Sequence, residues 1–155
     1  MTNHDTRPPL RRPEEMPPVR SQEGLCRQWQ ALMGDLGFSG YSLWLHLIEA
    51  DGRPTPILTQ IEGMSHLPDE DDDRLRNLMW LCSQLTDELA PGGRLAFLLS
   101  RPGRAEISEW DRAWAQALAT SCRSHGVPIH PIHRANDETV AVIAPDELDE
   151  LAVSA

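Results

Sequence analysis

Leu95-Ala96-Phe97-Leu98-Leu99, broken by Ser100-Arg101-Pro102-Gly103, is the stretch that decides the fold. Five consecutive apolar residues suit a strand covered on both faces, which places them in the middle of a sheet rather than at its edge. Beyond the break, Trp110, Ala113, Trp114, Ala117, Leu118, Ser121 and Cys122 recur at i, i+3, i+4 and i+7, the stripe of a helix with one buried face. Ser108 is the natural N-cap of that helix, and Asp111, three residues on, can reach back to the cap N–H. The loop between them opens at the carboxyl end of a central strand and the amino end of a helix, where open α/β sheets usually place ligands.

Upstream, a helical face of Leu25, Trp29, Leu32, Met33 and Leu36 begins after Ser21 and stops at Gly37. Tyr41 to Ala50 alternates as a strand whose second face, through Trp44 and Ile48, is also largely apolar. Asp51-Gly52 signals a hairpin turn, and Ile57 to Ile61 supplies the returning strand. The acidic run Asp69 to Asp73 suits the first turn of a second helix, because carboxylates are favoured at the positive end of the helix dipole. It has neither the alternating spacing nor the central glycine of a calcium loop. Leu75, Leu78, Met79, Cys82, Leu85 and Leu89 continue the stripe, broadened by Trp80 and Leu81, until Pro91-Gly92-Gly93 ends the helix. Downstream, Gly126 stops the third helix, and Pro128 and Pro131 demote the strand Val127 to His133 to an edge or bulged position. Thr139 to Ile143 is a last short strand, and Pro145-Asp146-Glu147-Leu148 looks like the first turn of a short terminal helix. This order predicts an α/β three-layer sandwich, a mixed sheet of about five strands with three main helices on its faces.

The chain has 155 residues, 40% of them hydrophobic and 25% charged, enough for one domain over residues 21–155. Residues 1–20 hold Pro8, Pro9, Pro13, Pro17 and Pro18 among Arg7, Arg11, Arg12 and Arg20, too little apolar surface to offset the entropy of ordering, and a disordered tail is expected there. Such a proline-rich segment can also be a ligand for aromatic grooves. With 24 acidic against 14 basic residues the net charge is −10, which argues against general nucleic-acid binding and against an anionic membrane surface. Every basic residue is Arg, read first as the codon bias of a high-GC genome and second as selection for bidentate contacts. Cys26, Cys82 and Cys122 are odd in number and widely spaced, so they read as buried, reduced thiols of a cytoplasmic protein rather than disulfides or metal ligands. No apolar run approaches the ~18 residues of a membrane span, and the first residues lack a signal-peptide layout.

The stretch Leu99-Ser100-Arg101-Pro102-Gly103-Arg104-Ala105-Glu106-Ile107-Ser108-Glu109-Trp110-Asp111, set in this element order, resembles the JAB/MPN metallopeptidase superfamily, in particular its bacterial DNA-repair-associated branch. That family has a strand ending in His-x-His-Pro-Ser-Gly, a short loop, then Ser-x-x-Asp opening a helix. The Pro-Gly pair and the Ser-x-x-Asp are kept here, at a loop one residue shorter, and the resemblance would span about Gly24 to Ile143. It implies a JAB/MPN-like fold in a bacterial cell. In the family two His and the Asp bind zinc while the Ser and an upstream Glu assist the attacking water. Here Leu99 and Arg101 occupy the His positions; Leu cannot ligate, Arg is a permanent cation, and Asp111 alone cannot supply the three protein ligands of catalytic zinc. The resemblance therefore implies a zinc-free relative, with Ser108 and Asp111 kept as a helix cap.

His125, His130 and His133 have the spacing of a transition-metal site only if a proline bulge corrects the strand alternation that sends His130 and His133 to opposite faces. No Gly-x-Ser-x-Gly or glycine-rich phosphate loop is present. Arg101 and Arg104 flank Gly103 just before a helix amino terminus, where they could receive a carboxylate or phosphate, or could pair with Glu106, Glu109 or other surface acids. The expectation is a non-catalytic protein-interaction module with no cofactor and no metal. The alternative is a small-molecule or hydrolase-like site in the loop 100–108, formed by Ser100, Arg101, Arg104, Ser108 and Asp111.

Overall fold

The computed structural model describes residues 12–69 and 73–144. Along the chain come a short 3-10 turn at Pro13–Glu15, α1 (Gln22–Met33), β1 (Ser42–Ile48), β2 (Pro54–Glu62), α2 (Asp73–Leu89), β3 (Arg94–Ser100), α3 (Glu109–His125), β4 (His133–Ala135) and β5 (Val140–Val142). The strands form one mixed sheet in the order β2-β1-β3-β4-β5. β1 runs antiparallel to β2 and β3, β4 is parallel to β3, and β5 turns back antiparallel to β4. The fold is α/β with three helices, and the apolar quintet is its central strand.

Strand alternation divides the core in two. Leu43, Leu45 and Leu47 of β1 join Leu95, Phe97 and Leu99 of β3 beneath α2 and α3. Ile48, Ala96 and Leu98 face the other way, against Leu25 and Trp29 of α1. All these strand residues are essentially removed from water, at roughly 1.5–3 kcal/mol for each large side chain. The one buried histidine of β1, His46, is satisfied on the α1 side: its Nε2–H donates to the Thr55 carbonyl at 2.9 Å, and Nδ1 accepts from Gln28 at 3.0 Å. Cys82 and Cys122 lie in the α2/α3 core, where burial pushes both thiols up to about 12.

The structure differs from the sequence reading in four places. Helix α1 ends at Met33 rather than near Gly37, because Gly34 takes a positive φ of 65° while its N–H still bonds Gln30. β4 is an interior strand, flanked by β3 and β5. The prolines are accommodated because Pro128 contributes only its carbonyl, to Leu95 N–H, and the ladder with Leu98–Ser100 resumes beyond Pro131 at His133. Of the segment 1–20 expected to be a disordered tail, residues 1–11 lie outside the described residues, and near its end Val19 is buried, its N–H bonding the Gly52 carbonyl at 2.7 Å. Gly52 makes that approach possible, since a Cβ there would stand 2.3 Å from the Val19 oxygen. Finally, Trp80 and Leu81 do not broaden the buried stripe of α2; they are 66% and 42% exposed. The buried stripe of α2 is Leu75, Met79, Cys82 and Thr86, with Leu78 and Leu85 half-buried against the core beside it. The expected terminal helix at 145–148 and most of the acidic run at 69–73 lie outside the described residues.

Candidate functional site

β3 carries Leu95, Phe97 and Leu99 toward α3, and the same alternation carries Arg101, two residues on, to that face. Its side chain is therefore buried, 2% exposed, rather than a loop cation facing water. The guanidinium meets Asp111 of α3 through two bonds, Nε to Oδ1 at 2.8 Å and Nη2 to Oδ2 at 2.6 Å, and Nη2 also donates to the Ala105 carbonyl at 2.7 Å. Asp111 in turn closes the capping box predicted from the sequence. Its Oδ2 accepts the Ser108 N–H at 2.9 Å, and the Asp111 N–H donates to Ser108 Oγ at 3.1 Å. Asp111 is fully buried, and both carboxylate oxygens are engaged.

The hairpin between β4 and β5 clamps this loop from the other side. Arg134 aligns with Leu99 in the parallel ladder, so its side chain reaches the same end of the sheet, donating to the Glu106 carbonyl and to both oxygens of Thr139. Asn136 donates to the Ala105 carbonyl at 2.9 Å while its own Oδ1 accepts the Glu138 and Thr139 N–H groups. The Asp137 carboxylate accepts Gly103 N–H at 2.8 Å and Phe38 N–H at 3.1 Å, and these two bonds hold its carboxyl below the usual range. Gly103 takes a φ of 97°, a conformation that favours glycine.

The five residues singled out from the sequence are therefore divided. Arg101, Ser108 and Asp111 form one interlocked unit. Ser100 points to the opposite face, buried, its Oγ accepting Trp44 Nε1–H at 3.0 Å. Arg104 lies outside, 3.2 Å from Glu138, with the two side chains 82% and 55% exposed. A serine whose partner is an indole N–H has no general base to activate it, and a buried carboxylate already bridged to a guanidinium has little left to offer a substrate. The residues do not fit the zinc that the family resemblance implies: Leu99 is apolar, and Arg101 is itself the cation that Asp111 binds. Among the described residues no group of three or more His, Cys, Asp or Glu is placed to hold a metal. His133 is buried, its Nδ1–H donating to the Pro131 carbonyl at 3.0 Å, while His125 sits exposed at the end of α3.

Sequence reasoning missed Arg134, Asn136, Asp137 and Trp44. Asn136 and Asp137 lie in the connection between β4 and β5, Trp44 is legible from the sequence only as part of an apolar strand face, and nothing local marks Arg134. At the opposite end of the sheet a cavity of about 260 Å³ is lined by Val19, Arg20, Glu49, Asp51, Arg94 and His130 among others, with Asp51 held at 2.8 Å by Arg53. Among the described residues the exposed large hydrophobic side chains are Tyr41, Leu67, Trp80, Leu81 and Leu89, and the last three belong to α2. No described helix is long and apolar enough to cross a membrane. No family model, curated protein or solved structure matches the chain.

Proposed function

We propose that this domain is a non-catalytic protein-interaction module of the bacterial cytoplasm whose docking surface is the outer face of α2. The observation that carries the reading is the exposure of Trp80 at 66%, Leu89 at 55% and Leu81 at 42% on one helix. At 100° per residue Trp80 and Leu81 bracket the side of α2 away from the core while Leu89 lies half a turn from Trp80, and exposed large apolar side chains of this kind are what a recognition surface uses. Ser100, Arg101, Ser108 and Asp111 support the reading from the other side, because the fold uses their polar groups internally. The zinc-free relationship to the JAB/MPN family enters here as a proposal too: the residue at the family's second histidine position is a guanidinium that satisfies the very carboxylate a metal would need. Three free thiols, two of them deeply buried, support the cytoplasmic placement.

A photo-crosslinking side chain placed at Trp80 or at Arg104 in the full chain tests the assignment. Protein adducts are expected from position 80 and not from position 104. Adducts confined to position 104 would move the docking surface to the loop.

A further inference from the structure

We infer that the cavity beside the start of β3 is a binding site for a small oxyanion, the carboxylate or phosphate group of a compact metabolite, held by Arg20, Arg94 and His130. The site is separate from α2 and does not depend on what that helix binds. Segments far apart in the chain build it. The turn between β1 and β2 is tied to the stretch before α1 by the Val19–Gly52 hydrogen bond, and this carries the adjacent Arg20 to the rim. On the other side the His130 N–H bonds the Leu95 carbonyl at 2.8 Å, which sets the histidine beside Arg94 at the start of β3. Gly92, at a φ of 80°, adds a wall with no side chain to fill the space, and a Cβ there would meet only that of Ala50, at 3.5 Å.

The charges on these walls differ in what they have left to give. Glu49 and Asp51 are the carboxylates, and Arg53 draws both: its N–H and Nε hold the two Asp51 oxygens at 3.0 and 2.8 Å, and Nε stands 4.0 Å from Glu49. Arg20 and Arg94 are exposed and have no carboxylate partner among the described residues; the Arg94 guanidinium makes only a long bond, 3.4 Å, to the Ile129 carbonyl. With Arg53 included, three guanidinium groups meet two carboxylates, a local positive surplus in a chain whose net charge is −10. The half-buried His130 ring has no hydrogen-bond partner among the described residues. Burial, and then the neighbouring Arg94, hold its pKa below the usual histidine value, so at neutral pH the ring supplies a neutral N–H donor. Guanidinium groups take carboxylates and phosphates through paired, charge-assisted bonds. The volume of about 260 Å³ falls just under the range of drug-sized ligands, which fits a compact metabolite. An extended polyanion would meet the acidic remainder of the surface, whereas a small anion meets only the local surplus.

Titrating the full chain with sodium phosphate and, separately, with sodium acetate tests this, with ionic strength fixed by sodium chloride and the histidine ring signals followed by NMR. At least one of the two anions is expected to shift His130 saturably, with a Kd on the order of 1 to 10 mM. His66, whose neighbour Ser65 is held by Trp110 and Trp114 at the far end of the sheet, should not respond. The tighter of the two anions names the group the ligand carries. Arg94→Gln and Arg20→Gln, both at exposed positions, should each weaken binding about tenfold, the loss expected for one charge-assisted hydrogen bond. Arg104→Gln, at an exposed arginine outside the cavity, should leave binding unchanged, and thermal unfolding checks that each variant is folded. No saturable shift from either anion up to about 50 mM, a shift that chloride reproduces, binding that survives both cavity substitutions, or an equal loss in Arg104→Gln would overturn the inference. Crosslinking from Trp80 reads α2 alone, so the two assignments stand or fall separately.

Discussion

At the amino end of α3 the charged side chains are inside, and along α2 the apolar ones are outside. Arg101 and Asp111 are 2% and 0% exposed, Trp80 and Leu89 more than half exposed. The contrast shows that residue chemistry alone is a poor guide to function. A guanidinium and a carboxylate at a strand-to-helix loop have the composition of a binding site, yet here each is the other's ligand. The leucines of α2 have the composition of a core, yet Leu81 and Leu89 stand exposed among the described residues. What a side chain can do for a partner depends on what the fold has left it free to do.

The strongest way to break this comparison is to remove one half of the buried pair. Asp111→Ala leaves Arg101 charged, buried and without its carboxylate, and should cost about 3–5 kcal/mol in urea unfolding, the range for breaking a buried ion pair. Replacing both residues, with Arg101→Met and Asp111→Leu, should cost clearly less than Asp111→Ala alone. If Asp111→Ala costs under about 1 kcal/mol, the pair is not what holds the loop, and the loop becomes available for a functional reading.

Acid should likewise act on the interior and spare α2. Burial lowers the His133 pKa to about 4, with the Pro131 carbonyl opposing and His130 assisting the shift. The folded state thus resists a proton that the unfolded chain accepts from about pH 6.5 downward. The stability contribution is therefore complete above the unfolded value, declines as pH falls from about 6.5 to about 4, and levels off below. The loss is on the order of 3 kcal/mol. Burial also lowers the pKa of His130, which adds to the slope in the same direction. His133→Asn should flatten the decline, measured as unfolding free energy against pH, and an unchanged slope would contradict the assignment.

A smaller effect sharpens the boundary of the folded body. Val19→Ala removes buried apolar surface against the 52 turn and should cost about 1–2 kcal/mol, whereas a true tail would give no change in the melting curve. The smallest effect belongs to the one exposed cation of the loop. Arg104→Ala breaks a solvent-screened pair with Glu138 and should shift stability by less than about 0.5 kcal/mol.

How much of this was legible follows from sequence distance. The central strand and the Ser108 cap were readable because their signals are local, a run of five apolar residues and an i, i+3 pair. The burial of Arg101 was also implicit, since Leu95, Phe97, Leu99 and Arg101 share one parity, but only if the alternation is carried past the end of the strand. The clamp from Arg134, Asn136 and Asp137 was not readable, because its bonds reach residues about 30 to 100 positions away. Trp80 was misplaced for a different reason: periodicity says which face of a helix is apolar, and not how wide a strip its neighbours cover.

The claim that α2 recognises while the loop 100–108 holds the fold together is tested most directly by photo-crosslinking the full chain from two exposed positions, Leu81 and Arg104, each replaced in turn by a photoreactive side chain. Protein adducts should form from position 81 and not from position 104. Equal cross-linking at both positions, or none at position 81, would contradict the claim.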